Sequence, residues 1–509
     1  MTATLKGNGH ANISGDALMA ALVANATISQ ADLPASAIIV GDEISYTDEP
    51  KISLPRDMSL RRAREILLRV ERDQHTEVAQ TKVFQYRPND GAVATARVMK
   101  RRYGITFGEK IQSFFGDRPP QTLSVPVSVT ETVEVPWGAM SIPALPGVEL
   151  HLGEKRDREL GKVYQIEATY EKRYTKEIKS LFAEINTELK TNSIYRGKAI
   201  LGTDDPEFLD FSAFRSNEIV FAEDVEEVLD GTIWSVLRYT DALKREGVRI
   251  KRAALLEGMY GCGKTSAGML TAELAVANGW TYCKARPGED VNDVMKLARL
   301  YAPAVVFVED IDNEASTADG GEVSRLLETF DGVTSKGAEL VVMMTTNHLE
   351  RIHKGMLRPG RLDAVIHVGD LDRGGVERLI RAVVAPDKLA HDLDFDAVYE
   401  SMHVMIDGHD GPVRHGFFPA FVRETLERAK TVAIGRQSGG TKYVLDTESL
   451  RVAASSLRPQ LKVMLEAEEG ERKPVLDTVL QEAIQRAVDG IRVVDSDGDY
   501  AFELEKQGA

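Results

Sequence analysis

An α/β fold built on a parallel sheet is predicted for the middle of this 509-residue chain, and three observations predict it. Ala253-Ala254-Leu255-Leu256 is a short apolar run fit for a buried strand, and the residues that follow, Gly258 to Thr265, read G-x-x-x-x-G-K-[ST]. After Thr265, Ala267, Met269, Leu270 and Leu274 have helical spacing, so strand, glycine loop and helix come in the order a phosphate-binding loop requires. Further on, Ala304-Val305-Val306-Phe307-Val308 is apolar throughout, as a central strand covered on both faces must be. It delivers Glu309, Asp310 and Asp312 at its carboxyl end, where ligands bind in such sheets.

The loop residues carry distinct tasks. Gly258, Gly261 and Gly263 let backbone N–H groups turn toward the phosphates of a nucleoside triphosphate, Cys262 lies inside the same loop, and Lys264 reaches the same oxygens. The Thr265 hydroxyl is placed to ligate Mg²⁺, and Ser266 follows in the first helical turn, where the helix N-terminus attracts anions. A glycine turn that merely joins strand to helix is the alternative, and the Lys-Thr pair with downstream carboxylates argues against it. Those carboxylates can hold the Mg²⁺ shell and polarise an attacking water; an acidic exit facing solvent is the competing reading. ATP and Mg²⁺ are the expected ligands.

Composition sets the frame. A hydrophobic content of 43% with 28% charged residues is ordinary for a globular chain, and the length suggests about three domains. The formal charge of -16 argues against a mainly polyanion-binding surface. Two cysteines cannot form a disulfide framework, no 18-residue apolar stretch is present, and the amino terminus lacks a signal-peptide core, so a cytoplasmic location is expected.

In chain order, residues 1–120 read as an α+β accessory domain, with strands near 37–47 and 81–86 and helices at 59–74 and 89–103. Residues 121–205 read as a β-rich segment in which Leu123, Val125, Val127, Val129, Val133 and Val135 alternate with polar residues. A connecting helix follows, from about Tyr170 to Leu189. The nucleotide domain is expected over 206–370, a helical lid over 371–440, and a mostly helical extension over 441–509. A third apolar strand, Leu340 to Thr346, ends in Asn347, whose amide could bond a γ-phosphate or water or simply form a turn. Arg358 and Arg361 sit on a Pro-Gly turn before Ala364-Val365-Ile366, and arginine is favoured where a permanently charged fork must stabilise phosphoryl transfer.

Taken in order, the phosphate loop, Val-Phe-Val-Glu-Asp-Ile-Asp, Thr-Phe-Asp-Gly-Val, Thr-Thr-Asn-His and Leu-Arg-Pro-Gly-Arg-Leu-Asp resemble the AAA ATPases over roughly residues 206–435. The resemblance implies a five-stranded parallel sheet of order 5-1-4-3-2 with a helical lid, and hexameric rings with nucleotide between subunits. It also implies a sensor role for Asn347, and that Arg358 and Arg361 act on the neighbouring subunit's γ-phosphate.

Several features depart from that pattern. Most members carry Asp-Glu where this chain has Glu309-Asp310; a branch that includes the mitochondrial Rieske-protein translocase shares the reversed order. By position Glu309 serves the metal and Asp310 the water, with the opposite assignment open. Cys283 to Asp290 lacks the aromatic grip of threading unfoldases, and Tyr282 is read as core. The Asp319-Gly320-Gly321 loop reads as a pore lining or a solvated connection. Arg423 reads as a nucleotide contact or a salt bridge, and Cys262 as a thiol beside the phosphates.

Three functions follow from these readings. The first is an ATP-driven machine remodelling a protein partner held by the amino-terminal domain; the others are a nucleic-acid motor or loader, and a nucleotide-gated assembly switch. Arg61, Arg62, Arg64, Arg69 and Arg72 with Lys100-Arg101-Arg102 could form a nucleic-acid patch, but interspersed Glu65, Glu71 and Asp73 favour a solvated helix face.

Overall fold

Alternation of apolar and polar residues builds the first sheet. The computed structural model describes residues 38–40, 43–45, 58–107, 121–311, 339–349, 352, 362–408, 411–436, 443–467, 493–496 and 499–502. Strands β1 (Ile38–Val40) and β2 (Glu43–Ser45) pair as an antiparallel hairpin. Helix α1 (Leu60–Gln74) leads into β3 (Glu77–Phe84), and α2 (Pro88–Tyr103) precedes β4 (Gln121–Pro126), β5 (Thr132–Ser141), β6 (Glu149–Asp157) and β7 (Gly161–Glu171). Strands β3 to β7 form one antiparallel sheet of order β3-β7-β6-β5-β4. The boundary expected at 120 therefore falls inside a sheet. In β7 the buried residues Tyr164, Ile166, Ala168 and Tyr170 recur with period two, so Tyr170 belongs to a strand and not to the start of the connecting helix.

Helices α2 and α3 (Thr175–Asn192) cover this sheet. Helix α2 lies so close to β7 that a Cβ on Gly91 would fall 2.1 Å from the Tyr164 ring. Asp90 is buried beside it and accepts from Ser193 Oγ at 2.6 Å and Ile194 N at 2.9 Å. Burial pushes its carboxyl up to about 6 from 3.8, against the pull of those hydrogen bonds. Because the folded-state value is raised, the contribution of Asp90 is fully present below the unfolded value and is lost as pH rises through the folded one, roughly 3 kcal/mol in all. Asp90→Asn is neutral at every pH and is expected to remove this slope. Its melting temperature relative to the parent should rise between about pH 4 and about pH 7, and parallel profiles would contradict this.

The second sheet runs through the middle of the chain. It uses β8 (Ala199–Leu201), β9 (Glu207–Phe208), β10 (Arg252–Glu257), β11 (Thr281–Lys284), β12 (Ala304–Val308), β13 (Leu340–Thr346) and β14 (Ala364–His367) in the order β14-β10-β13-β12-β11-β8-β9. The expectation of five strands, all parallel, is corrected in two ways. Strand β8 adds a sixth strand parallel to β11, and β9 returns antiparallel to β8. Three apolar residues shortly before Asp204-Asp205-Pro206 are too few to show periodicity, yet they cover the edge that β11 would otherwise expose. The other sheets among the described residues are antiparallel.

Both faces of this sheet are buried, against different partners. Helices α4 (Glu223–Leu229), α5 (Lys264–Ala277) and α6 (Val291–Leu300) flank it. Ala253, Leu255, Val306, Val342 and Met344 share a core with the amino-terminal sheet, its helices and α6. Ala254, Leu256, Val305, Phe307 and Met343 share a second core with α4, α5 and the segments after β14. Those segments are α7 (Arg373–Val383), α8 (Phe395–Ser401), the hairpin β15 (His403–Gly408) and β16 (Gly411–Gly416), and α9 (Pro419–Arg436). The expected helical lid thus carries a β-hairpin. Val404 and Ile406 face inward around exposed Met405, a period-two run too short to stand out. Helical backbone over 447–467 adds Leu450, Leu457, Leu461 and Leu465 to the same core, past the boundary expected at 440. Within the expected helical extension, Val493–Ser496 and Asp499–Phe502 form an antiparallel hairpin instead.

Candidate functional site

The glycine loop between β10 and α5 has the geometry of a cradle. Gly258 adopts φ 151°, and a Cβ there would fall 2.1 Å from Val368 O; Gly261 and Gly263 also take positive φ, 85° and 105°. Such backbone is open to glycine and strained for other residues. Lys264 is buried at the start of α5, and its Nζ donates to Gly258 O at 2.7 Å, Met259 O at 2.9 Å and Asn347 Oδ1 at 2.8 Å. Three neutral oxygens thus converge on one ammonium, where phosphate oxygens would bind it more strongly. Thr265 is exposed at the helix mouth and Ser266 half-buried. The residues present fit a nucleotide's phosphates.

A chain of side chains links the loop to the acidic strand end. Asn347, buried after β13, accepts from Lys264 through Oδ1 and donates through Nδ2 to Asp310 Oδ1 at 3.0 Å. The ammonium and the carboxylate fix which way this amide points. Asp310 has φ 49°, the only positive value at a non-glycine among the described residues, and its N–H donates to Thr345 Oγ1 at 3.0 Å. Aspartate tolerates this region better than most residues, and the turn aims its carboxylate toward Asn347. Glu309 goes elsewhere: its Oε2 lies 2.6 Å from Lys284 Nζ at the end of β11. The two adjacent carboxylates are therefore divided between the relay and an ion pair.

Lys284 is the residue beside the acidic strand end that sequence reasoning misses. There it figures only as part of a stretch lacking an aromatic grip, and its signal lies in sheet order: β11 and β12 are neighbours, with Lys284 opposite Phe307. Tyr282 packs in the core against Phe307 at a ring distance of 6.0 Å. Arg286 is tied to Glu207 at 2.8 Å.

The lid meets the loop through the backbone more than through the arginine singled out for it. Arg423 pairs with Glu218 at 3.0 Å, the salt-bridge reading, and with Arg215 it holds the Glu218 carboxyl below its ordinary value. The lid reaches the loop instead through Ala420, whose N–H donates to Gly261 O at 3.3 Å, and through Arg378, which donates to Phe221 O at 2.7 Å. The Phe221 ring lies in turn against Gly263. The Cys262 side chain is buried in the core beneath the loop with its Sγ 3.7 Å from Lys264 Nζ, and burial pushes its thiol up while Lys264 pulls it down. Cys283 is buried too, its thiol raised to about 12 by burial. Arg358 and Arg361 lie outside the described residues, as do Asp312, the 319–321 loop and the Thr-Phe-Asp-Gly-Val segment. Asp363, next to the arginine turn, clamps β10 by accepting from Ala253 N at 2.8 Å.

Residues 254–370 match the family described as "ATPase family associated with various cellular activities (AAA)". An ATP-dependent zinc metalloprotease FtsH of Helicobacter felis is 30% identical over 195 residues, 35% of this chain and 30% of that protein. A 26S proteasome regulatory subunit 6B homolog of Aspergillus niger is 32% identical over 177 residues, 31% of this chain and 42% of that protein. The ATPase family gene 2 protein of Schizosaccharomyces pombe is 29% identical over 197 residues, 35% and 24% of the respective chains. The chain thus spans less than half the length of these curated relatives. No helix among the described residues is long and apolar enough to cross a membrane. With the cradle, the buried lysine and the acidic strand end together at the carboxyl ends of β10, β12 and β13, residues 254–370 carry an AAA-family ATPase domain, a nucleotide-binding P-loop module of a family that works with ATP and Mg²⁺.

Proposed function

We propose that the chain hydrolyses ATP in a ring of like subunits and uses the resulting change of shape to remodel a protein partner held by its amino-terminal module. The observation that carries this reading is the relay Lys264–Asn347–Asp310, which joins a phosphate-binding cation to a carboxylate through one amide. Lys264 exchanges its three neutral oxygens for phosphate oxygens. Asn347, released from the lysine, orients the attacking water, and Asp310 accepts that water's proton. Thr265 and Glu309 would hold Mg²⁺, which supplies positive charge to the phosphate oxygens. Arg358 and Arg361 stabilise the same charge from the neighbouring copy in a hexamer.

Lys284 tunes this arrangement by competing with the metal for Glu309. Lys284→Met is expected to lower several-fold the Mg²⁺ concentration giving half-maximal turnover, because Glu309 is then released. Superimposable Mg²⁺ titrations would show that the ion pair plays no part.

Work on the partner without aromatic threading is supported by the Cys283–Asp290 stretch, where Arg286 and Glu289 pair with each other and Arg286 also with Glu207. The Glu309-Asp310 order supports the branch that includes the Rieske-protein translocase. Transmission is supported by the two cores: the nucleotide sheet packs on the amino-terminal module through one face and on the lid through the other. Nucleic acid is the weaker partner. Arg101 pairs with Glu188 at 2.9 Å and Arg102 with Glu184 at 2.7 Å, so part of the basic cluster is neutralised within the fold. Turnover measured with and without DNA or RNA is expected to differ by less than about twofold; strong stimulation that disappears in Arg61→Ala/Arg62→Ala would establish the nucleic-acid motor instead.

A further inference from the structure

A cavity of about 220 Å³ lies at the seam between the amino-terminal module and the nucleotide sheet, away from the phosphate loop. It is lined by Arg87, just before α2 and 1% exposed, and by two exposed arginines, Arg156 near the end of β6 and Arg158 on the β6–β7 turn. The Arg87 Nη1 donates to Leu160 O and Lys162 O, at 2.8 and 2.6 Å, but its Nε has no hydrogen-bond partner. Gly161 admits this guanidinium: a Cβ there would come within 3.1 Å of Nη1. Burial lowers the Arg87 pKa, with Tyr301, Asp204 and Asp293 opposing that fall.

The charges in the cavity are unequally committed. Each carboxylate that lines it has a partner other than these arginines. Asp157 Oδ1 accepts from Glu159 N and Leu160 N at 2.8 and 3.0 Å, Asp293 Oδ1 is 2.7 Å from Lys296 Nζ, and Asp204 faces Lys162 at 3.8 Å. Among the described residues none of the three guanidinium groups has a carboxylate within ion-pair distance. A buried, desolvated cation with no carboxylate in direct contact is costly, and planar guanidinium forks match tetrahedral oxyanions. We propose that this seam cavity binds a phosphate group, free or carried on a small molecule, and that the bound anion bridges Arg87, Arg156 and Arg158. The ligand would join β6 and the turn after it in the amino-terminal module to α6 of the nucleotide sheet, whose Asp293 and Lys296 also line the cavity. The site does not depend on ATP hydrolysis, so its failure leaves the proposed activity untouched.

The test is calorimetric binding of pyrophosphate, inorganic phosphate and ADP to the full chain carrying Lys264→Ala, which weakens competing capture by the phosphate loop. Pyrophosphate or phosphate is expected to bind, and Arg156→Ala/Arg158→Ala in the same background is expected to weaken that binding at least tenfold. Both arginines are exposed, Arg156 near the end of β6 and Arg158 on the turn after it, so their removal leaves the core intact. Tighter binding of ADP, equally sensitive to the double substitution, would support a phosphate carried on a nucleotide. Absence of binding by all three anions, or binding that the double substitution leaves unchanged, would overturn the proposal.

Discussion

Lys264→Ala is expected to weaken ATP binding by about 100-fold or more and to abolish turnover at ordinary nucleotide concentrations. A hydrogen bond to a charged group is worth about 1.5–3 kcal/mol, and the ammonium has at least two donors to offer phosphate oxygens, so about 3 kcal/mol is the lower bound. The buried position of Lys264 makes replacement by water a poor substitute. Equilibrium binding of a fluorescent ATP analogue measures the loss directly. An unchanged dissociation constant would mean that the lysine's contacts with Gly258, Met259 and Asn347 serve only to fold the loop.

Asp310→Asn is expected to do the opposite: to keep ATP binding within a few-fold of the parent and to lose about 100-fold or more in turnover. The substituted amide keeps the size of the side chain, and asparagine tolerates the turn at φ 49°, but it cannot take a proton. General-base catalysis is typically worth about 10²–10⁴-fold, which sets the magnitude. Steady-state phosphate release with saturating MgATP measures the effect, and near-normal turnover would reassign the water to Glu309. Glu309→Gln is a useful companion, since it frees Lys284 while leaving the relay intact.

Much of this site is legible in the sequence because its parts are local. The Gly258–Thr265 pattern, the apolar run ending in Glu309-Asp310 and the strand ending in Asn347 are each contiguous, and parallel pairing of their strands brings all three to the carboxyl end of the sheet. The separate contacts of Glu309 and Asp310 are not legible, because they arise from a positive φ at Asp310 and from Lys284 on the adjacent strand. The place of Cys262 is hidden for a related reason: a loop sequence does not say which side chain turns under the loop. In the fold, β7 is masked by the stronger helical signal beside it, and β8 is too short to carry a period. The boundary at residue 120 fails because β3 finds its partner, β7, after a long intervening segment. Pairings between distant segments leave little trace in one sequence.

The proposed activity rests on a shared site in which one copy supplies the relay and its neighbour the arginines. Phosphate release from MgATP by the full chain, followed across a dilution series, tests this most directly. The expected result is saturable, Mg²⁺-dependent release whose specific activity falls on dilution as subunits separate. No release at any concentration would contradict hydrolysis, and a specific activity unchanged by dilution to the monomer would contradict the shared site.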